Sequence, residues 1–448
     1  MKTIFFLFIL LQAGLSFGQK PVTVECRTGA GVGSKINLFR VENGNKVAMA
    51  NAVYNKNGYY GFSFIPEYEG FYVIGDDRNY QYPLYLKEGD AISLYMDADT
   101  VYLEGKKNTP ENRTLYRWVD LSRDVAGKSV FFFRVHNSTY KDFFPEFETF
   151  LAAADQFQNT IKTGNPRFNE LMKRTIGFEK DLYALTFLYT PRSAHPTKEQ
   201  RLAYYTNLIN PDKFRDDVIL SMPYGMDLVR LYTMFARMES GQMPADLGNI
   251  AELIPDTRVQ GEIVANRASG FKSYFEFKEF MNKNTVPLNA DQKKRVEAAG
   301  SALYEMRKGQ PAAEFSYPDA NGKMVSLADF RGKVVLVDVW ATWCGPCRGE
   351  LPHLKKLEEE MKGTDVVFVG VSLDEEKNHD KWKKFLVDEQ LPGVQLFADG
   401  WSKIAKDYKI TGIPRFMVFD REGKVVEANS PRPSDPNLKK LLEEELKK

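Results

Sequence analysis

One stretch limits the possible folds more than any other in this chain. Val334-Val335-Leu336-Val337-Asp338-Val339-Trp340 leads through Ala341-Thr342-Trp343 into Cys344-Gly345-Pro346-Cys347. An apolar run of that length fits a central strand buried on both faces. From Cys344 to about Met361 the pattern becomes amphipathic, so the two cysteines stand where a strand gives way to a helix. Pro346 suits a first helical turn, where its missing N–H would have no intrahelical partner. At that corner Cys344 meets unpaired backbone N–H groups and the positive end of a helix dipole, and both favour thiolate over thiol. A free cysteine titrates near 8.5, and such surroundings lower that by about one to several units. Cys347, one turn further on, faces the same side and can close a disulfide. The local chemistry supports reversible dithiol–disulfide exchange.

Other uses of such a pair stay open on these residues alone. Half of a zinc site needs two further ligands, but there is no second Cys-X-X-Cys and the four histidines are scattered. A static disulfide fits an oxidising compartment. Two unrelated buried thiols fit poorly, because Gly345-Pro346 is unfavourable in a strand or mid-helix. Three cysteines in 448 residues exclude a disulfide-stapled scaffold. The third, Cys26, has no evident mate and reads as a lone buried thiol. His353 and His379 show no partner pattern and read as surface residues. The 61 basic and 60 acidic residues leave a net charge of +1, which provides no basic field for a nucleic-acid partner.

The first residues look like an export signal. Lys2 precedes an apolar run from Ile4 to Leu15, and Ser16-Phe17-Gly18 carries small residues suited to cleavage before Gln19. The run is shorter than the roughly 20 residues a spanning helix needs, and no later stretch qualifies. Residues 1–18 are therefore expected to be a signal peptide, leaving an exported, soluble protein of the periplasm or cell envelope with no membrane span.

At roughly 100–200 residues per domain the remainder should hold two to four. Residues 19–108 read as a β-rich domain, a small antiparallel sandwich or barrel. Its strand-prone runs are Val22 to Cys26, Lys35 to Val41, Tyr59 to Phe64, Phe71 to Gly75 and Ala91 to Met96, with turn signals at Asn43-Gly44, Asn57-Gly58 and Glu69-Gly70. Leu84-Tyr85-Leu86 reads as half-buried. From Thr109-Pro110 to Lys308 apolar residues recur at helical spacing, as in Phe147, Phe150, Leu151 and Ala154, so 109–308 reads as an α-helical region. Its aromatic stripes read as core-facing. Residues 309–448 alternate strands and helices and close with a hairpin at Asp420-Arg421-Glu422-Gly423 and a helix from about Asn437, an α/β layer with a mixed sheet.

The segment Val337 to Cys347 resembles the active-site stretch of the thioredoxin superfamily. Phe315, Asp319, Gly322, Leu327, Phe330-Arg331-Gly332-Lys333 and Glu350-Leu351-Pro352 resemble its exported TlpA/ResA-like branch. Thr411-Gly412-Ile413-Pro414 matches the loop that carries a cis-proline. Residues 20 to about 111 resemble the small β-rich domain fused to such modules in Bacteroidetes. The resemblance implies a multidomain chain with a C-terminal thioredoxin fold and a thiol–disulfide oxidoreductase activity.

In that frame Cys344 is the nucleophile and Cys347 resolves the mixed disulfide. Asp338 takes the place of the buried carboxylate that exchanges a proton with Cys347, with a capped or hydrogen-bonded structural aspartate as the other reading, and Glu350 tunes the thiols or contacts substrate, unless it is merely a solvated helix-face residue. Trp343, Gly345, Pro346, Ile413 and Pro414 form the expected substrate surface, while Trp340 packs inside. Gly345-Pro346 matches reducing members, so electrons are expected to flow to substrate disulfides, among them those of apocytochromes or misoxidised exported proteins. A membrane electron donor would reset the dithiol. No cofactor beyond the disulfide and no metal is implied. A disulfide oxidase or isomerase, or a binding module whose dithiol only senses redox state, are the rival readings.

Overall fold

The computed structural model describes residues 20–448 except 34, 54–58, 77–79, 98–99, 131–137 and 242–249. The expected leader and the Asn57-Gly58 turn lie outside the described residues. The chain divides between Ile263 and Val264 into two compact units, and the expected helical region 109–308 contributes to both.

Among the described residues, eight strands open the first unit: β1 (Val22–Thr28), β2 (Lys35–Glu42), β3 (Asn45–Val53), β4 (Tyr59–Phe64), β5 (Gly70–Gly75), β6 (Gln81–Leu86), β7 (Ala91–Met96) and β8 (Val101–Leu103). They form two four-stranded sheets, in the orders β4-β1-β7-β8 and β3-β2-β5-β6. Asn43 and Gly44 both take positive φ (49° and 74°), which turns β2 back on β3 in a two-residue hairpin. The first sheet is not purely antiparallel as expected, because β1 runs parallel to β7. Parallel neighbours need a long crossover, here supplied by the strands between them. Leu84, Tyr85 and Leu86 are all buried rather than alternating. The reason lies in α1 (Pro110–Ser129), whose Asn112 accepts from Tyr85 N at 2.9 Å and donates to Tyr85 O at 2.6 Å, closing the outer edge of β6.

Thr109 caps α1 by accepting from Asn112 N, with Pro110 in the first turn. Behind it come α2 (Tyr140–Gln158) and α3 (Pro166–Tyr189), the latter opened by the Asn165 cap and Pro166. The short α4 (Ala203–Thr206), α5 (Gly225–Glu239), α6 (Ile250–Leu253) and α7 (Thr257–Ala268) follow. The aromatic stripes face inward, as Phe143 stacked on Phe187 at 4.0 Å illustrates.

In the second unit α8 (Tyr274–Lys283) and α9 (Ala290–Glu305) precede the pair β9 (Ser316–Pro318) and β10 (Met324–Ser326). A five-stranded sheet then forms from β11 (Val334–Trp340), β12 (Val366–Ser372), β13 (Val394–Phe397), β14 (Arg415–Phe419) and β15 (Val425–Glu427), in the order β13-β12-β11-β14-β15. The apolar run Val334 to Trp340 is the central strand, buried at every residue, parallel to β12 and antiparallel to β14. Helices α10 (Gly345–Glu360), α11 (His379–Asp388), α12 (Lys403–Asp407) and α13 (Pro436–Leu446) complete the unit, and α10 continues through Pro352. Val335, Val337 and Val339 enter one core with Met417 and Phe419. Val334 and Leu336 enter the other, beneath Leu354 and Leu357 of α10 and Leu438 and Leu442 of α13. Strand alternation therefore gives Asp338 and Trp340 the face that α10 covers.

Candidate active site

The site begins with a helix start. Cys344 is the N-cap residue of α10, and its Sγ accepts from the backbone N–H of Cys347 at 3.1 Å. Cys344 and Cys347 are joined by a disulfide, with an S–S distance of 2.01 Å. Both are nearly inaccessible, at 4% and 3% exposure, whereas neighbouring Trp343 is 54% exposed. Gly345 and Pro346 are also exposed. The disulfide thus lies just under a surface formed by Trp343, Gly345 and Pro346. Trp340 and Ala341 pack beside the cysteines with Trp382 and Phe397, and Ile413 packs against the same cluster. The Ile413–Pro414 peptide is cis.

Asp338 is 6% exposed, and its Oδ1 has no hydrogen-bond partner. Burial, aided by the nearby charge of Glu350, pushes its carboxyl up to about 8. Glu350 does not stand on a solvated helix face. It is buried one turn after Cys347, and its carboxylate accepts from the backbone N–H and the hydroxyl of Ser434, each at 3.0 Å, with Arg432 at 4.0 Å. His353 is exposed as expected, but His379 is half-buried. Its ring stacks on Trp382 and meets Phe397 edge-on at 4.6 Å, filling the aromatic pocket that backs the cysteines. Cys26 is a free buried thiol in the first unit, and burial raises it to about 12. Among the described residues no cluster of three or more His, Cys, Asp or Glu side chains is arranged to hold a metal, and no helix is long and apolar enough to cross a membrane.

A sulfur at a helix N-terminus, bonded to a second sulfur one turn away, is a group that can be opened and closed by thiol exchange. Comparison with known proteins points the same way. Residues 307–442 match the family described as Redoxin. The thiol-disulfide oxidoreductase ResA of Bacillus thuringiensis subsp. konkukian is 31% identical over 159 residues, which is 34% of this chain and 88% of the relative. This chain belongs to the ResA family of thiol–disulfide oxidoreductases. The thioredoxin-like protein YneN of Bacillus subtilis is likewise 31% identical, over 27% of this chain and 69% of its own length. A thiol:disulfide interchange protein from Bacteroides sp., solved in solution, is 31% identical over 32% of this chain and 91% of its own, with a TM-score of 0.29.

Two further contacts in this ResA-family domain lie beyond the residues that the sequence singles out. Asp374, just beyond β12, is fully buried. Its carboxylate accepts from the Thr342 N–H at 2.8 Å, the Thr342 hydroxyl at 2.7 Å and the Ser372 hydroxyl at 2.7 Å. The sequence does carry a signal for it: Asp374 is the first charged residue after an apolar run, at the carboxyl end where parallel strands of an α/β sheet place functional groups. The other is Lys272, before α8, whose ammonium donates to the hydroxyl of Thr411 in the cis-proline loop at 3.3 Å. No local pattern marks that pairing.

Proposed function

We propose that this protein is exported to the periplasm or cell envelope and there reduces disulfides of substrate proteins. The observation that supports the reading is the Cys344 sulfur at the N-cap of α10, within 3.1 Å of the Cys347 N–H and bonded to the Cys347 sulfur. In the dithiol form the same N–H and the helix dipole favour a Cys344 thiolate. That thiolate attacks one sulfur of a substrate disulfide, forming a mixed disulfide and releasing the other substrate sulfur as a thiolate. Cys347 gives up its proton and attacks the Cys344 sulfur. The Cys344–Cys347 bond forms, the mixed disulfide breaks, and the substrate departs with two more electrons and, after protonation, two thiols.

Asp338 is the proton partner of Cys347 in this scheme. In the disulfide form it holds a proton at neutral pH, and it delivers that proton to the departing Cys347 sulfur when a donor opens the bond. A membrane-bound dithiol donor would perform that reset. Trp343, Gly345 and Pro346 on one side and Ile413 and Pro414 on the other form the surface for an extended substrate segment, with backbone pairing along Ile413. Glu350 sets the charge beneath the dithiol.

Turnover of a protein disulfide such as that of insulin, with excess dithiol as donor, tests the reading. The wild-type chain is expected to catalyse it and Cys344→Ser to lose it entirely, while the exported chain is expected to begin at Gln19. Catalysis retained by the variant, or a cytosolic protein that keeps Met1, rejects the corresponding half of the proposal.

A further inference from the structure

We propose that Asp374 and Thr342 are positioning residues for the nucleophile, a buried latch that fixes the turn from Ala341 to Cys344 and so keeps the Cys344 sulfur at the helix cap. The inference rests on the reading of Cys344 as the attacking sulfur.

The turn itself is short. Cys344 N donates to Ala341 O at 3.1 Å, and Thr342 and Trp343 form its two central residues. Within it Thr342 is 4% exposed and Trp343 is 54% exposed, so one central side chain points inward and the other outward. Asp374 receives both polar groups of the inward residue: Oδ2 takes the Thr342 N–H and Oδ1 the Thr342 hydroxyl. Two bonds to one carboxylate fix orientation as well as distance, and charge-assisted bonds of this kind are the stronger sort.

The latch is held from its other side too. Ser372 donates to Asp374 Oδ2 and accepts from Asp374 N at 3.1 Å. Leu373 N donates to Trp340 O at 2.8 Å, Ala398 N to Ser372 O at 2.9 Å and Gly400 N to Asp374 O at 3.0 Å. The ends of β11, β12 and β13 are thus tied together directly behind the turn. A fully buried carboxylate is strongly unfavourable unless its hydrogen bonds are met. Here they are met by groups whose other effect is to set the residue two before Cys344.

The consequence for chemistry follows from the cap. The Cys344 sulfur meets the Cys347 N–H at 3.1 Å because the turn delivers it there. With the latch loosened, Cys344 leaves the cap for part of the time, its thiolate loses that donor, and the thiol form gains. The dithiol is then less favoured relative to the disulfide.

Thr342→Val tests this in the full-length chain, because it removes only the hydroxyl. The charged groups around Cys344 stay in place: Asp338 from β11, Glu350 and Arg348 from α10, His379 at the start of α11, and Asp374 itself. The pH dependence of Cys344 alkylation in the reduced protein is expected to move up by at least half a unit. The midpoint potential is expected to become more negative and kcat/KM for a protein disulfide to fall about tenfold. Thr342→Ser, which keeps the hydroxyl, restores all three.

An alkylation midpoint and potential unchanged in Thr342→Val, with only thermal stability lowered, overturns the proposal and leaves the network a matter of stability alone. A wild-type chain without turnover instead rejects the reductase reading, and the alkylation curves still report on the latch.

Discussion

Asp338 shows how one buried side chain ties the stability of a fold to pH. It sits on the face of β11 that α10 covers, with Oδ1 unpartnered, and burial moves its titration up to about 8. For a carboxyl raised in the folded state, the native protein binds more protons than the unfolded chain between the ordinary carboxylate range near 4 and about 8. Stability should therefore fall as pH rises through that window. Each unit is worth about 1.4 kcal/mol, which bounds the whole effect at several kcal/mol. Asp338→Asn should remove the slope, so urea unfolding should show the variant more stable than wild type at pH 9 and similar to it at pH 4. Parallel pH dependences for the two proteins would contradict the assignment. At this scale the sequence is informative wherever the chemistry is local. Cys344, Cys347, Trp343 and Asp338 lie within ten residues of one another, and strand and helix periodicity places them together. Glu350 was ambiguous because the residue that binds it, Ser434, lies 84 positions away.

Among elements, legibility follows the same rule of range. The apolar run at Val334 to Trp340 predicted a doubly covered central strand, and β11 is one. Thr109-Pro110 marked the start of α1 through its cap and its proline. β3, with its Asn-Lys-Val-Ala-Met-Ala-Asn start, has no strong β-branched pattern and carries no strand signal of its own, although the sequence does mark the Asn43-Gly44 turn that creates it. Strand direction in the first sheet and the closing of β6 by Asn112 were not legible, since both depend on segments distant in sequence. The second of these gives a quantitative expectation. Asn112→Ala leaves both the N–H and the C=O of buried Tyr85 without their partner, and each orphaned group costs about 1–3 kcal/mol. Urea unfolding of the first unit should show a loss of about 2–6 kcal/mol; a loss under about 0.5 kcal/mol would mean that water or a neighbour replaces the amide.

At the scale of the whole molecule, the Cys344–Cys347 disulfide lies in the second unit, and the ResA-family match covers 34% of the chain. The first unit has its own strands, helices and core, and its aromatic stripes are spent on packing. What the second unit adds to a thioredoxin-type layer is helical: Phe277 of α8 and Val296 and Leu303 of α9 cluster with Ala265 and Ala268, and Met306 joins that cluster to the core beneath β11. Lys272 from this added segment reaches Thr411 in the cis-proline loop, so the extension borders the expected substrate surface. The proposed function depends on the direction in which the dithiol passes electrons. The midpoint potential of the Cys344–Cys347 couple, measured in the full chain, tests it most directly. A value on the reducing side, near the roughly −270 mV of thioredoxin, is predicted; one near the roughly −120 mV of a strong oxidant would contradict the reductase reading.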